Sequence, residues 1–425
     1  MVGIALMLVV FVSFVGFLNA GIKIVGVSSA KVGAVALANE QMEKIRNLPY
    51  AEVGTVGGIP SGNVPQNISS VLNGINYTIR TLIQYVDDPA DGEGAEDENG
   101  ITADYKRVKV EVGWEGKNFT NPLVFVSDVM PKGMETNAGD GTLKINVFDA
   151  AISPVVSADV HIENSELVPS VSVDVFTNSQ GKVVFPGAPT AASYKITVTK
   201  TGHSSAQTYD VTPENPNPQP GHLTILEGET TEASFSIDLV STKTVKTFEA
   251  TTTLPLIPFH MRGEKIIGKD IDNEPIYKYS HDLLSGGDGA KEIFNLEWDN
   301  YLLTIDGPST GYDISEICPF QPFNILPDTN NTTDIILFPH VTNTFLVSVK
   351  DGSGNFIPGA SARLYKTGYD KTVDSSATCG QSFFSPLSAS ASYTLEVTKT
   401  GYQNFSLSNI SISGQSNMEI NLSPL

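Results

Sequence analysis

Cysteine and histidine are scarce in this chain of 425 residues, which has two cysteines and six histidines. The cysteines do not form a Cys-x-x-Cys pair and the histidines are scattered, so the sequence lacks the ligand spacing typical of a zinc site. Walker, Rossmann, zincin and kinase motifs are absent as well. The sequence therefore gives no support for membership of the common nucleotide-binding or metalloprotease families.

Positive charge is also in short supply. The chain has 26 lysines and arginines against 47 aspartates and glutamates, a formal net charge of −21. Such a surface repels phosphates, and the sequence shows no local basic patch, so we expect no nucleic-acid partner. The 40% hydrophobic content, with 37 glycines and 25 prolines, is typical of a folded, β-rich chain of several domains.

No charged side chain occurs in residues 1–22, which read MVGIALMLVVFVSFVGFLNAGI. As a helix this segment is about 33 Å long, enough to cross a hydrocarbon core of about 30 Å. Three interpretations compete: a cleaved secretory signal, a simple membrane anchor, and a helix that packs against other copies of the chain. A secretory signal is disfavoured because no basic segment precedes the apolar run.

The residues after Lys23 favour the assembly helix, because they continue the helical pattern as far as Pro49. Apolar residues recur near helical spacing, small residues allow close helix contact, and proline ends the pattern. Residues 1–17 and the run ALANEQMEKIRNLPYAEVGT at 36–55 resemble type IV pilins and pseudopilins. The basic leader, the glycine before the cleavage site and the FTLIE-type start of that family are not present. We therefore expect that the leader and the first few mature residues are missing from this sequence.

The resemblance implies a subunit that waits in the cytoplasmic membrane and then assembles through its N-terminal helix. The partners it implies are other copies of the chain, the pilus assembly machinery and prepilin peptidase. The predicted assembly residues are Ile4, Leu6, Leu8, Val10, Phe11, Phe14, Val15, Gly16, Phe17 and Leu18.

An acidic loop lies in the predicted head of this pilin-like part. Residues 87–104 hold eight carboxylates and three glycines, and closely spaced oxygen ligands are what Ca²⁺ prefers. Pseudopilins carry calcium in such loops, so the resemblance adds to this prediction. The alternative is a solvated loop, because the spacing does not match an EF-hand. The predicted ligands are Asp87, Asp88, Asp91, Glu93, Asp97 and Asp104.

Two parts of the chain, about 200 residues apart, repeat one another. LKINVFD at 143–149 matches FLVSVKD at 345–351, and SYKITVTKTG at 193–202 matches SYTLEVTKTG at 392–401. Both copies resemble carboxypeptidase regulatory-like domains, which implies two seven-stranded, prealbumin-like β-sandwiches. No zinc ligand set accompanies them, so they are expected to be accessory domains without the enzyme.

The cysteines, Cys318 and Cys379, fall in the middle region and in the last repeat copy. In an exported chain, two cysteines favour a single disulfide, which would join these two regions. The alternative is two unrelated buried thiols.

The middle region, residues 243–340, belongs to no family that the sequence identifies. Gly307 to Gly311 fits the G-x-S-x-G pattern around Ser309, and Asp334 and His340 follow it in hydrolase order, but no helical pattern follows the serine. A turn is therefore the better interpretation. The region also holds residues for an acid–base or metal set and for an aromatic binding face, but scattered histidines and core aromatics are the commoner cases. Their members are His260, His281, Asp282 and Glu292, and Phe259, Tyr277, Tyr279, Trp298 and Tyr301.

These observations assign the chain to the α+β class, with a long N-terminal helix, a small antiparallel head and three β-rich modules. The predicted domains are an assembly helix (1–49), a head (50–131), a linker (132–141), a first sandwich (142–242), a β-rich domain (243–340) and a second sandwich (341–425). The expected function is a non-enzymatic subunit of a type IV pilus-like filament at the cell surface, with outward β-domains for adhesion. The alternative is a monomeric, membrane-anchored adhesin or glycan-binding protein.

Overall fold

The structure, a computed structural model, describes residues 2–87, 104–114, 122–131 and 140–425. It divides into two compact units. Unit 1 contains Met1–Lys200, Ser205–Tyr209 and Gly221–Ile237, and unit 2 contains Thr201–Ser204, Asp210–Pro220 and Asp238–Leu425. Below, residues 50–131 are called the head, and residues 140–237, 238–340 and 341–425 are called modules 1, 2 and 3.

The α+β assignment is wrong. Strands make up 55% of the structure and helix about 10%, and among the described residues a single helix is longer than seven residues, so the fold is mostly β. The physical reason is the number of β-sheets. One helix covers one face of one sheet. In each of the three modules, by contrast, two sheets bury their apolar faces against each other without a helix.

The single long helix, α1, runs from Val2 to Arg46. From Ala30 onwards it buries one stripe, in which Ala34, Ala38, Met42 and Ile45 recur at the three- or four-residue spacing of one helix face. The helix stops three residues before Pro49, because proline cannot continue the hydrogen-bond pattern. A single 3-10 turn, Tyr50–Glu52, follows.

The head is one antiparallel sheet in sequence order β1-β2-β3-β4. Alternate residues of its two central strands are buried against α1, so the helix and the sheet share one apolar core. The strands are β1 (Asn67–Leu72), β2 (Ile75–Val86), β3 (Tyr105–Trp114) and β4 (Leu123–Val129).

Module 1 is a sandwich of two sheets, with the orders β13-β5-β8 and β10-β9-β6-β7, and β12 pairs with β9. Its first strand, β5, lies parallel to its last, β13. The strands are β5 (Asp140–Phe148), β6 (Asp159–Asn164), β7 (Val171–Phe176), β8 (Lys182–Pro189), β9 (Ala191–Thr199), β10 (Ala206–Gln207), β12 (Leu223–Ile225) and β13 (Thr230–Ser236). A two-residue strand, β11 (Asn217–Pro218), belongs to unit 2 and pairs there with β17 (Ile266–Lys269).

Module 2 places β14 at the centre of one sheet and pairs it in parallel with β24. A second sheet has the order β19-β16-β21-β23, and β17 and β18 form a hairpin. The elements are β14 (Ser241–Glu249), β15 (Thr252–Thr253), β16 (Pro258–Arg262), β18 (Pro275–Tyr277), β19 (Ser280–Leu284), β20 (Ala290–Leu296), β21 (Asp299–Thr304), a single helical turn α2 (Gly307–Thr310), β22 (Tyr312–Cys318), β23 (Phe323–Ile325) and β24 (Asn330–Pro339).

Module 3 repeats the strand pairing of module 1. Its sheets have the orders β28-β25-β31 and β27-β26-β29-β30, and its first strand is again parallel to its last. The strands are β25 (Thr344–Asp351), β26 (Ser361–Lys366), β27 (Tyr369–Asp374), β28 (Gln381–Phe384), β29 (Ser390–Thr398), β30 (Phe405–Ile412) and β31 (Gln415–Leu422).

Candidate assembly surface and module junctions

The part of α1 before Ala30 carries large apolar side chains that are exposed. Phe17 is 76% exposed and Phe14 58%, and an added Cβ at Gly16 would meet nothing within 4 Å. Met7, Phe11, Val15, Leu18, Ile24, Val25 and Val27 are exposed as well. Of the predicted assembly residues, the side chains of Ile4, Leu6, Leu8 and Val10 lie outside the described residues. Within the described part of the chain, no helix is both long and apolar enough to cross a membrane.

The second half of α1 is held on the head by polar contacts as well as by its apolar stripe. The Tyr77 hydroxyl donates to the Ala30 carbonyl at 3.0 Å, and Gln41 donates to Thr81 at 3.3 Å. A side chain at Gly33 would collide with the Tyr77 hydroxyl, so glycine is needed where the helix passes over β2. The helix therefore has a docked half and an exposed half.

The head is joined to module 1 within unit 1. Ile59, in the loop after the 3-10 turn, is buried in the core of module 1. The Ser172 backbone N–H donates to the Gly57 carbonyl at 2.5 Å. Arg80 of β2 stacks its guanidinium 4.3 Å from the centre of the Phe176 ring and donates to the Asp174 carbonyl at 2.6 Å. These contacts hold the head against module 1, although the hydrogen-bonded residues are 94 or more positions apart in the chain.

Beside Arg80, His161 and Asp174 form a cross-strand ion pair on β6 and β7. His161 Nδ1 lies 2.6 Å from Asp174 Oδ1. This hydrogen bond raises the pKa of His161 and lowers the pKa of Asp174. Burial raises the pKa of the neighbouring Asp159, and Glu163 adds a further negative charge near the histidine. Sequence reasoning did not find this pair, because only the strand register brings it together.

The His161–Asp174 pair predicts a pH dependence of stability. Because folding raises the pKa of His161 above its ordinary value of 6.5, the contribution of His161 to stability is full below pH 6.5 and is lost as the pH rises through the folded-state pKa. Because the Asp174 pKa is lowered, its contribution is present above its ordinary value of 3.8 and is lost in acid. Both side chains are more than a third exposed, so the effect should stay below about 1 kcal/mol.

Chemical denaturation between pH 5.5 and 8 measures this effect. The unfolding free energy should fall with rising pH in the original chain, and the fall should be smaller in His161→Gln. His203→Gln is the matched control, because His203 contacts the carbonyl of Thr201 and forms no ion pair with a carboxylate in the part of the chain that the structure describes. Equal pH profiles for His161→Gln and the original chain would contradict the prediction.

In unit 2, a disulfide between Cys318 and Cys379 joins module 2 to module 3, with Cα atoms 5.7 Å apart. Glu316 accepts hydrogen bonds from Ser376 at 2.8 Å and Thr378 at 2.6 Å. The backbone N–H of Ile317 donates to the Gln381 side chain at 2.8 Å. The sequence identified the cysteine pair, and the structure adds the polar bonds that surround it.

A buried carboxylate makes another contact between modules 2 and 3. Asp313, whose side chain is 1% exposed, lies 2.7 Å from His340 Nδ1 and accepts a bond from the Val341 N–H at 3.0 Å. Gln415, the first residue of β31, also donates to it. A buried carboxylate needs such partners. No sequence signal pointed to Asp313, because its partners lie 27 and 102 residues away.

The predicted calcium ligands fall mostly outside the described residues. These are Asp88, Asp91, Glu93 and Asp97. Of the other two, Asp87 follows β2, and Asp104 precedes β3 and donates its N–H to the Val86 carbonyl at 3.0 Å. Among the described residues there is no group of three or more metal-ligating side chains. The calcium site stays a prediction from the sequence.

The hydrolase pattern around Ser309 does not assemble. Ser309 lies in the α2 turn, and its hydroxyl donates to the Asp306 carbonyl at 3.2 Å. His340 contacts Asp313, whereas Asp334 lies in β24 opposite Cys318.

A second serine, Ser280, does lie in a hydrogen-bonded chain with a histidine and an aspartate. His260 Nε2 is 3.1 Å from Ser280 Oγ, and His260 Nδ1 is 2.7 Å from Asp282 Oδ1, which is the bonding order of a serine hydrolase triad. Asp282 is 94% exposed and the serine is exposed too. Water competes for each bond there, so the arrangement lacks the water-excluded setting that activates such a serine.

The other two sequence groups come together only in part, because His260 and Asp282 are hydrogen-bonded whereas Glu292 is not near them. Glu292 lies on β20, in the other sheet of module 2 from His260. Phe259 and Tyr301 are core residues, and Tyr279 packs edge-on against Tyr301. Cationic side chains cover the two remaining rings: Arg262 lies over Tyr277, and Lys265 lies 3.3 Å from the centre of the Trp298 ring.

No family model and no curated protein matches this chain. Three similar solved structures are the Bacillus anthracis TIE protein, a streptococcal ancillary pilin, and BcpA, the major pilin subunit of Bacillus cereus. Their identities to this chain are 14%, 12% and 12%, with TM-scores of 0.20, 0.19 and 0.18. The matches cover 84%, 67% and 67% of this chain and 73%, 99% and 99% of those chains. TM-scores this low assign neither a family nor a function.

Proposed function

We propose that this chain is a structural subunit of a cell-surface filament of the type IV pilus kind, and that copies assemble through the exposed half of α1. The observation that supports this proposal is the division of the helix. Its second half is docked on the head, and its first half exposes apolar side chains over residues 7–27, a length of about 30 Å.

The exposed side chains surround the helix rather than forming a single stripe. At about 100° per residue, Phe11, Val15, Val27 and Phe17 point to about 0°, 40°, 160° and 240° around the axis. One partner groove covers a sector of about 100°, so it would reach Phe11 and Val15 but not Val27 and Phe17. Packing among several neighbouring helices covers them all, which is the arrangement along the axis of a helical filament.

Assembly from a membrane exchanges lipid contacts for helix–helix contacts, and both environments are apolar. The driving force must then come from close packing of the helices rather than from burial out of water. The close approach of helices also needs small residues, and Gly16, Gly21 and Gly26 all have open space around them.

The other parts of the proposal rest on the sequence. The β-modules would project for surface contact and adhesion, and the subunit would need no catalytic chemistry. Residence in the cytoplasmic membrane before assembly, processing by prepilin peptidase and contact with assembly machinery stay predictions from the resemblance. The alternative of a monomeric, anchored adhesin predicts single molecules rather than filaments.

Substitution of one exposed helix residue tests the proposal. Phe14→Asp places a charge where neighbouring helices should pack, and Gly16→Leu blocks their close approach, so each should abolish filaments in electron micrographs of sheared surface material. Circular dichroism of the purified subunits should show folded β-modules in both variants. Ile152→Asp, at an exposed apolar residue in a turn of module 1, is the matched control and should leave filaments intact.

Two outcomes would contradict the proposal. One is filaments of normal length from Phe14→Asp, because a carboxylate cannot be buried in an apolar helix bundle without a large penalty. The other is surface material of the original chain that consists of single molecules only.

A further inference from the structure

The first and last strands of module 1 are parallel neighbours. The chain enters the module through β5, and seven residues of β13 pair with β5 in register, from Thr230 opposite Thr142 to Ser236 opposite Phe148. The chain leaves the module after β13. The entry point and the exit point are therefore at opposite ends of one strand pair.

This arrangement decides how tension acts on the module. When the entry of β5 and the exit of β13 are pulled apart, the two strands slide along each other. Parallel hydrogen bonds are evenly spaced along the pair, so the whole ladder is loaded at once rather than one bond after another. Leu143, Ile145, Val147 and Phe235 are buried beneath this pair, and sliding would also drag them through the core.

Side chains on the outer face reinforce the same pair. Glu232 of β13 accepts a hydrogen bond from Asn146 at 2.6 Å and forms an ion pair with Lys144 at 3.2 Å. Asn146 and Lys144 both lie on β5. These bonds lower the pKa of the Glu232 carboxyl, first through Asn146 and then through Lys144. The bonds cross from strand to strand, so sliding must break them together with the ladder.

We propose that module 1 is a mechanical tether, built to resist tension through shear of the β5–β13 pair and the Glu232 bonds across it. This role goes beyond filament assembly. It rests on the proposed function only for the source of the tension, because a filament subunit is pulled between its packed helix and its outward modules.

Modules 2 and 3 have the same strand arrangement, but their covalent path differs. β14 is parallel to β24 and β25 to β31, each over eight residue pairs. The disulfide between Cys318 and Cys379 places β24 and β25 inside a closed loop, so tension on the chain ends passes through the sulfur atoms instead. In the oxidised chain, module 1 is therefore the module whose terminal strand pair is loaded directly in shear.

Single-molecule pulling on the full chain tests the tether, with attachment points introduced as an unnatural amino acid carrying an azide. Points at Met130 and Ser236 load β5 and β13 in shear. Points at Ile152 and Ser236 are at the same end of the pair and peel it open. All three positions are exposed. We expect a rupture force roughly twofold or more higher in the shear geometry.

Glu232→Ala separates the side-chain contribution from the ladder. It should lower the rupture force in the shear geometry more than in the peeling geometry, because peeling breaks each contact in turn. Glu166→Ala is the control, since that exposed residue makes no side-chain bond across the β5–β13 pair. Circular dichroism checks that each variant is folded.

Equal or lower force in the shear geometry would overturn the tether proposal. Because the measurement uses single molecules, it does not depend on filament formation. A chain that forms no filaments but shows the force difference would contradict the proposed function and leave the tether standing. A chain that forms filaments but shows no force difference would contradict the tether and leave the proposed function standing.

Discussion

Oxidised chains pulled from their two ends should extend about 200 Å less on complete unfolding than reduced chains. The disulfide joins residues 61 positions apart, and an extended residue spans at most about 3.3–3.6 Å. The closed loop contains the linker between modules 2 and 3, so this linker should carry no end-to-end tension while the bond is intact. Force spectroscopy with and without a reductant measures the difference.

A double substitution provides the control for this result. Cys318→Ser with Cys379→Ser should give the long extension in both conditions, since no covalent loop can form. The polar bonds from Glu316 and Gln381 remain in that variant, so the folded junction should persist at zero force. Identical extensions of oxidised and reduced original chain would show that the cysteines are not joined.

Lys243→Met should stabilise module 2 by about 2–3 kcal/mol at pH 7. Lys243 is 1% exposed, and its ammonium lies 4.2 Å from the centre of the Phe323 ring. Among the described residues, no carboxylate forms an ion pair with it, and burial lowers the pKa of Lys243 to about 8. A buried charge without an opposite charge costs stability, and methionine fills a similar volume without that cost.

The gain from Lys243→Met should depend on pH in a defined direction. The folded-state pKa of the lysine lies below its ordinary value of 10.5, so folding penalises the charged form. The penalty is full below about pH 8 and disappears as the pH rises towards 10.5. Chemical denaturation at pH 7 and pH 10 should therefore show a large gain that shrinks at the higher pH.

Lys265→Met is the matched comparison within the same module. Burial lowers the pKa of Lys265 as well, but this lysine donates to Glu297 at 2.7 Å, and the hydrogen bond and charge of Glu297 oppose that shift. The Lys265 ammonium also lies over the Trp298 ring. Removal of the Lys265 ammonium leaves the Glu297 carboxylate, which is 12% exposed, with an ion pair to Lys278 alone. Because a buried carboxylate that loses a partner is costly, Lys265→Met should be less stable than the original chain. A destabilised Lys243→Met, or a gain that does not change with pH, would contradict the explanation by burial.

Features that depend on residues close together in the chain are readable from the amino-acid sequence alone. Pro49 ends the helix because it cannot donate a backbone hydrogen bond, and the matching runs at 143–149 and 345–351 encode the same strand pairing twice. Alternation along residues 75–86 placed one face of a strand in the core. Each of these signals is local: a repeated run, an alternation of apolar and polar residues, or a proline that ends a helix.

The fold class and the contacts at the junctions between modules required the three-dimensional structure. The helix is long, yet it covers a single sheet. Most of the other described residues form strands, and the pairing of those strands into sheets within each module makes the fold mostly β. Asp313 and Gln415 are 102 residues apart, and Arg80 and Asp174 are 94. Strand register and the docking of one surface on another bring such residues together, and neither leaves a local pattern in the chain.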